Sequence, residues 1–349
     1  MINVDLAAAA QLAALALPHY GLDPATTLTL LKYRENFVFS AHSDGVDYVV
    51  RVHRQGYHSD VELASEVEFV HALHAQGVAV PQFIRTHDER TFCVVGETSP
   101  YGAHQVDLQL LLANHGSFGA EATAFDGTAQ LPPSDFAELG TLLARVHDAT
   151  ERSGYTMSVP GQDWDLAGLT GPSWAWGDPL RLPELAGQDL ETVEAAIAQM
   201  RKTLAAYGAH PMRYGPIHAD LTPENVLRTH NGLVLIDFDD FAQGWHLFDL
   251  ATALNFFLPH PRYEEYRVAL FGAYEAVRPF EECDHAAYPA ITLARALTYL
   301  GWAADRRGDD TAEFVASDFI ACVVDLAHAL LAAQPDTHPA PQRLERTRK

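Results

Sequence analysis

Ile217-His218-Ala219-Asp220-Leu221-Thr222-Pro223-Glu224-Asn225-Val226-Leu227 is followed, after Arg228 and the turn Thr229-His230-Asn231-Gly232, by Leu233-Val234-Leu235-Ile236-Asp237-Phe238-Asp239-Asp240. Two short apolar runs separated by a turn ending in Asn-Gly predict a β-hairpin. Such a hairpin brings the residue before its first strand beside the residue after its second, so Asn225 and Asp237 are expected side by side. The polar pattern is then H-x-D-x-x-x-x-N on one arm and D-F-D on the other. At average residue frequencies, both strings at suitable spacing arise by chance on the order of once in ten thousand chains of this length.

These residue types suit phosphoryl transfer from a nucleotide. That reaction is catalysed mainly by positioning and electrostatics: a carboxylate orients the attacking hydroxyl and takes its proton, while hard oxygen ligands hold Mg²⁺ against the phosphates. The expected roles are Asp220 as the catalytic base and Asn225 with Asp237 as metal ligands.

The two strings resemble those of the aminoglycoside phosphotransferase and choline kinase superfamily, the protein-kinase-like small-molecule kinases. Asp239 stands where protein kinases carry glycine, which favours a small-molecule kinase. The resemblance runs from about residue 28 to 258 and implies ATP and Mg²⁺ as cofactors. It aligns Tyr48-Val49-Val50-Arg51-Val52-His53-Arg54 with the strand whose lysine touches the nucleotide phosphates, and Ser65-Glu66-Val67-Glu68 with the helix whose glutamate pairs with that lysine. Arg51 replaces the usual lysine; a guanidinium keeps its charge and binds phosphate or carboxylate bidentately. Its spacing from Arg51 selects Glu66 over Glu62 and Glu68. The phosphate-covering turn, Arg34-Glu35-Asn36-Phe37, has no glycine, and Asn36 is expected to supply its polar group.

Working outward, short strand-type runs at 28–31, 37–40, 48–53, 82–86, 91–95 and 104–108, with a capped helix at 60–75, precede a switch to helical periodicity near residue 110. Helices are expected at 134–149, 188–207, 245–258, 263–277, 285–302 and 312–331. The fold class is therefore α+β: a bilobed, protein-kinase-like fold with an antiparallel-sheet N-lobe (1–110), a mostly helical C-lobe carrying both loops and the acceptor site (111–334), and a flexible tail (335–349). The region 154–185, rich in Gly, Pro and Trp, reads as an irregular surface insertion. Asp249 resembles an aspartate that accepts hydrogen bonds from the catalytic-loop backbone. His71 and His74 read as packing residues, and Trp164, Trp174 and Trp176 as lining a cleft or capping the helical lobe.

The 349 residues carry a formal charge of −23 and are 48% hydrophobic. That composition excludes a disordered chain and disfavours nucleic acid or an anionic membrane as partner. For the small-molecule hydroxyl acceptor that the resemblance implies, the acidity suits one bearing an amine, such as an aminoglycoside, choline or homoserine. Cys93, Cys283 and Cys322 have no metal or CxxC spacing and are expected to be reduced core thiols of a cytoplasmic protein. The first 17 residues read as a short helix, and the richest apolar run is 247–258, interrupted by Asp249 and Asn255. Two alternatives share these motifs: a protein Ser/Thr kinase of the bacterial stress-response type, and a nucleotide-binding pseudokinase.

Overall fold

The computed structural model describes residues 4–33, 36–157, 163–171 and 174–333. Strands β1 (Leu28–Tyr33), β2 (Phe37–Ser43) and β3 (Val46–Val52) form an antiparallel meander. Strands β4 (Phe83–Ile84), β5 (Cys93–Val95) and β6 (His104–Leu110) complete the sheet in the order β1-β2-β3-β6-β4, with β5 also paired to β6. Helix α1 (Leu6–Ala16) starts where the Asp5 side chain accepts from the Ala8 amide at 2.8 Å. Leu12, Ala13 and Ala16, with Leu17 and Tyr20 beyond the helix, form one core with Phe39, Val50, Val52, Val106 and Leu108.

Side chains alternate across a strand. With Val50, Val52, Val106 and Leu108 in the core against α1, Arg51 of β3 and Asp107 of β6 belong to the opposite face. Arg51 and Asp107 are also direct cross-strand partners. Helix α2 (Asp60–Ala75) opens with a capping box in which Ser59 and Glu62 exchange hydrogen bonds. Its buried residues include Ser65 and Glu66 beside Leu63, Val67, Phe69 and Val70.

Beyond β6 the chain is mostly helical, and the α+β class expected from the sequence is the observed one. Helix α3 (Glu121–Phe125) and the long α4 (Pro133–Ser153) lead to α5 (Leu166–Thr170) and α6 (Gly187–Tyr207). Next come two small antiparallel pairs: β7 (Tyr214–Ile217) with β10 (Ala242–Trp245), and between them the hairpin β8 (Val226–Thr229) with β9 (Gly232–Leu235). Helices α7 (His246–Asn255), α8 (Tyr263–Glu275), α9 (Glu282–Ala304), α10 (Asp310–Phe314) and α11 (Ile320–Ala332) follow. Helix α4 packs on α8 at Gly140, where any Cβ would collide with the Leu270 carbonyl.

The described residues of Met1–Asp165 and Ala209–Glu281 form one compact unit, and those of Leu166–Gly208 and Glu282–Lys349 a second. In the second unit α6, α9 and α11 pack together. Arg295, fully buried there, is sandwiched near the Trp176 and Tyr299 rings, 4.9 and 4.1 Å from their centroids.

Several expectations need correction. The stretch 154–185 contributes buried Trp164, Leu169, Leu182 and Leu185 and contains α5, so it is not merely surface. A five-residue helix is too short to display a period. The C-terminal helix is interrupted by a π-helical turn at Val315–Phe319, which a 3.6-residue reading cannot show. Of the three cysteines only Cys93 is buried; Cys283 and Cys322 are half-buried. The run Asp310–Ala332, with mean hydropathy 1.8, is long and apolar enough to cross a membrane by length and composition; α11 nevertheless packs on α6 and α9. Arg34 and Glu35 of the covering turn, parts of the 154–185 stretch and the 335–349 tail lie outside the described residues.

Candidate active site

Strand β7 delivers the chain to His218, and the backbone then turns sharply. Ala219 sits at φ 66°, in the left-handed region that residues with a Cβ rarely adopt. What holds it is Asp249, fully buried in the first turn of α7. Its Oδ2 accepts from the His218 amide at 3.0 Å and its Oδ1 from the Ala219 amide at 2.8 Å. This is the backbone-accepting role the sequence suggested.

Behind Asp249 stands His147 of α4, with Nε2 at 3.1 Å from Oδ2 and Nδ1 at 2.9 Å from the Tyr274 hydroxyl of α8. Burial pushes the His147 pKa down and favours a neutral ring. A carboxylate can only accept, so Nε2 carries the proton and Nδ1 accepts from the tyrosine. Burial opposes the Asp249 charge, but the His147 hydrogen bond and the loop amides hold its carboxyl below the usual range. Three helices thus fix one carboxylate, and that carboxylate fixes the loop.

Asp220 follows, half-buried. A 3-10 turn at Pro223–Asn225 brings Asn225 back, and its Nδ2 donates to the Asp220 carbonyl at 2.9 Å and to Asp220 Oδ2 at 3.3 Å. With its nitrogen spent on Asp220, Asn225 has Oδ1 to offer a cation. The hairpin register Val226↔Leu235 and the bond from the Ile236 amide to the Asn225 carbonyl, 2.9 Å, set Asn225 beside the residues preceding Asp237. His218 Nε2 lies 2.9 Å from the Ile236 carbonyl, and its ring packs 4.5 Å from that of Phe238. The histidine therefore ties one loop to the other. Asp237 too has a left-handed backbone, φ 65°. Each such residue costs about 1–3 kcal/mol and persists only where its surroundings enforce it.

Arg51 is clamped. Its Nε lies 3.1 and 3.0 Å from the two oxygens of Asp107, and its Nη2 lies 2.8 Å from Asp107 Oδ2 and 2.9 Å from Glu66 Oε1. The guanidinium carbon is 5.3 Å from the Phe83 ring centroid. Only Nη1 reaches toward the loops, at 4.0 Å from Asp237 Oδ1. Asp107 also meets His53 Nε2 at 2.6 Å and Gln109 Nε2 at 3.3 Å. The three glutamates of α2 separate cleanly: Glu62 caps the helix, Glu68 pairs with Arg85 at 2.7 Å, and Glu66 meets Arg51.

Asn36 is 8% exposed and spends its side chain on the protein: Nδ2 donates to Asp239 Oδ2 at 3.1 Å, and Oδ1 accepts from the Arg54 amide at 3.2 Å. It connects the β1–β2 turn to the loop after β9. His58 Nε2 also approaches Asp239, at 3.4 Å. Burial opposes the charge on both partners. Even so, the Asp239 contact raises His58 to about 9, and His58 holds Asp239 well below the usual carboxylate range. Burial, assisted by Asp239 and Asp107, outweighs Arg51 and raises Glu66 to about 8. Partial burial and the Asp239 carboxylate push Asp237 up; partial burial, Asp220 and Asp239 push Asp240 up further.

Asp237 and Asp240 lie in the field of neighbouring carboxylates, Asp220 and Asp239. Asp239 is paired with His58, and the Arg51 guanidinium with Asp107 and Glu66. A divalent cation would suit this group of carboxylates, with Asn225 Oδ1 and the Asp237 carboxylate, its side chain 41% exposed, as candidate oxygen donors. Among the described residues no three His, Cys, Asp or Glu side chains form a metal cluster. Such a cation would complete its shell with phosphate oxygens and water. His71 and His74 instead lie near the Phe83 carbonyl and the Gln82 amide, 3.4 and 3.1 Å away. Trp164 packs 5.1 Å from Phe248.

Comparison with known proteins gives this constellation its family. The model of the phosphotransferase enzyme family matches residues 33–291, which includes Arg51, Glu66, both loops and Asp249. The chain belongs to the phosphotransferase enzyme family. Its relatives include a homoserine kinase of Janthinobacterium sp. (strain Marseille), 30% identical over 214 residues. The alignment covers 58% of this chain and 62% of that kinase, less than two thirds of its length. A microcompartment-associated aminopropanol kinase of known structure is 27% identical with a TM-score of 0.78, covering 94% of this chain and 98% of the other. An amicoumacin kinase solved with AMP-PNP and Ca²⁺ shares the fold, with a TM-score of 0.68 at 19% identity over 90% of this chain and 91% of its own.

Sequence reasoning did not single out Asp107, His53, His58 and His147, which the structure places against Arg51, Asp107, Asp239 and Asp249 respectively. For Asp107 a signal existed: the strict alternation Val106-Asp107-Leu108-Gln109-Leu110 announces a strand with a polar face. Nothing in the pattern told that this face would be buried under α2.

Proposed function

We propose that the protein is an ATP- and Mg²⁺-dependent cytoplasmic kinase that phosphorylates the hydroxyl of a small amino alcohol, without nucleic-acid or membrane partners. The observation that carries the reading is the convergence of Asp220, Asn225 and Asp237, with Asn225 hydrogen-bonded to Asp220 at 3.3 Å and joined through β8–β9 to the Asp237 loop. The amino alcohol rests on the end-to-end likeness to an aminopropanol kinase and the partial one to a homoserine kinase. Both names describe short chains with a hydroxyl near an amine, and the acidic loops would attract such a cation.

In this mechanism Asp220 orients the acceptor hydroxyl toward the γ-phosphorus. As the new O–P bond forms and the β,γ-bridge bond breaks, the hydroxyl proton passes to Asp220 and ADP departs. Asn225 fixes Asp220 by hydrogen bonding while its Oδ1 and Asp237 would hold Mg²⁺. The ion, when bound, neutralises phosphate charge. Asp249 keeps the loop in register.

An ADP-release assay over 1-amino-2-propanol, homoserine, ethanolamine, choline, aminoglycosides, sugars and Ser/Thr peptides tests the acceptor class. Turnover is expected with one or more short amino alcohols. Activity on peptides alone would instead support the protein-kinase reading. A second expectation concerns the metal ligand: Asp237→Ala removes one of two protein donors and should weaken Mg·ATP binding at least about 10-fold, the scale of a lost charge-assisted contact. Calorimetric titration of Mg·ATP that returns the wild-type Kd would remove Asp237 from the metal site.

A further inference from the structure

The structure gives the Arg51 guanidinium two buried carboxyl partners, Asp107 across the ladder and Glu66 of α2. Resting on the kinase reading above, we infer that Asp107 is a positioning residue of the nucleotide site: it makes arginine the working cation here by holding the Nε–Nη2 edge and leaving Nη1 for the phosphates. Asp107 is fully buried and is the cross-strand partner of Arg51 in the β3–β6 ladder. Its two oxygens lie 2.8–3.1 Å from Nε and Nη2. Glu66 takes the other hydrogen of Nη2 at 2.9 Å, and the Phe83 ring lies against the guanidinium. The fork therefore has one edge and one face occupied, and it cannot rotate without breaking hydrogen bonds to the buried Asp107 and Glu66 side chains.

A lysine at 51 cannot reproduce this. An ammonium is a point charge with three donors and no planar edge, so it could satisfy Glu66 or Asp107 but not fork onto Asp107 while reaching the phosphates. It would also leave the buried Asp107 carboxylate with His53 and Gln109 as its remaining side-chain hydrogen-bond partners among the described residues. Burying a charge without its partner is far costlier than exchanging one cation for another. The arginine and Asp107 thus form a unit, and a change at one position is tolerated only with a change at the other.

The test is a double-mutant cycle read in nucleotide binding. Wild type, Arg51→Lys, Asp107→Leu and Arg51→Lys/Asp107→Leu are compared by direct Mg·ATP titration, with thermal unfolding as a control for folding. Asp107→Asn serves as the milder variant should Asp107→Leu not fold. Arg51→Lys and the Asp107 variants are each expected to raise the Kd for Mg·ATP about 10-fold or more. The double variant, freed of the unpaired carboxylate, should regain at least several-fold over Arg51→Lys. Where turnover is measurable, KM for ATP should rise in the single variants while KM for the acceptor stays near wild type.

Arg51→Lys with wild-type Mg·ATP affinity, or a folded Asp107→Asn with unchanged affinity, overturns the inference. So does a double variant no better than Arg51→Lys. Because titration needs no acceptor, a wild type that binds Mg·ATP but phosphorylates no amino alcohol would refute the proposed acceptor and leave this inference standing.

Discussion

Asp220→Asn is expected to lower kcat by roughly 10²-fold or more while the Kd for Mg·ATP stays near wild type. The substitution preserves shape and the hydrogen bonds from Asn225, which reach the Asp220 carbonyl as well as Oδ2. It removes only the charge that orients and finally deprotonates the acceptor. With a loose transition state the proton leaves late, so the loss falls on turnover. Nucleotide titration paired with acceptor-dependent ADP release decides the matter. Equal turnover in the two proteins would exclude Asp220 from the mechanism, and absence of turnover in both across a broad acceptor panel would favour a pseudokinase.

Asp249→Ala should be the most destabilising single change near the site, by about 3–5 kcal/mol, the scale for removing one member of a buried charged network. It leaves the His218 and Ala219 amides and His147 Nε2 without their acceptor inside the protein. The left-handed Ala219 then loses what enforces it, so kcat should collapse even in the fraction that stays folded. Asp249→Asn should fall between the two, because its amide keeps one acceptor but turns a donor toward other donors. Thermal melts should show a fall of roughly 10 °C for the alanine variant. Melting within a degree or two of wild type would mean that the loop is held by something else.

The Arg51–Asp107 clamp also changes how the departure from lysine is understood. The reach and geometry of an arginine at position 51 differ from those of the lysine that the resemblance implies there. In the folded chain those differences are matched by a second carboxylate across the ladder. Asn36 shows the converse: its place in the covering turn suggested a contact with phosphate, whereas its side chain is engaged with Asp239 and the Arg54 amide.

What the sequence determined by itself was local. H-x-D-x-x-x-x-N and D-F-D define their own chemistry because their members lie within a few residues of one another. An Asn-Gly turn between two apolar runs suffices to bring them together. Strand and helix periods likewise report each element's exposed and buried faces, and from these the α+β class followed.

Only the tertiary structure decided which polar faces meet. Asp107 lies 56 residues from Arg51, His147 lies 102 from Asp249, and Asn36 lies 203 from Asp239. A polar residue in a strand or helix carries the same pattern whether water or a buried partner awaits it, and its pKa and role depend on which of these it finds. That outcome is set by strand register and by which helix covers which face, and neither is encoded at the spacing of a motif.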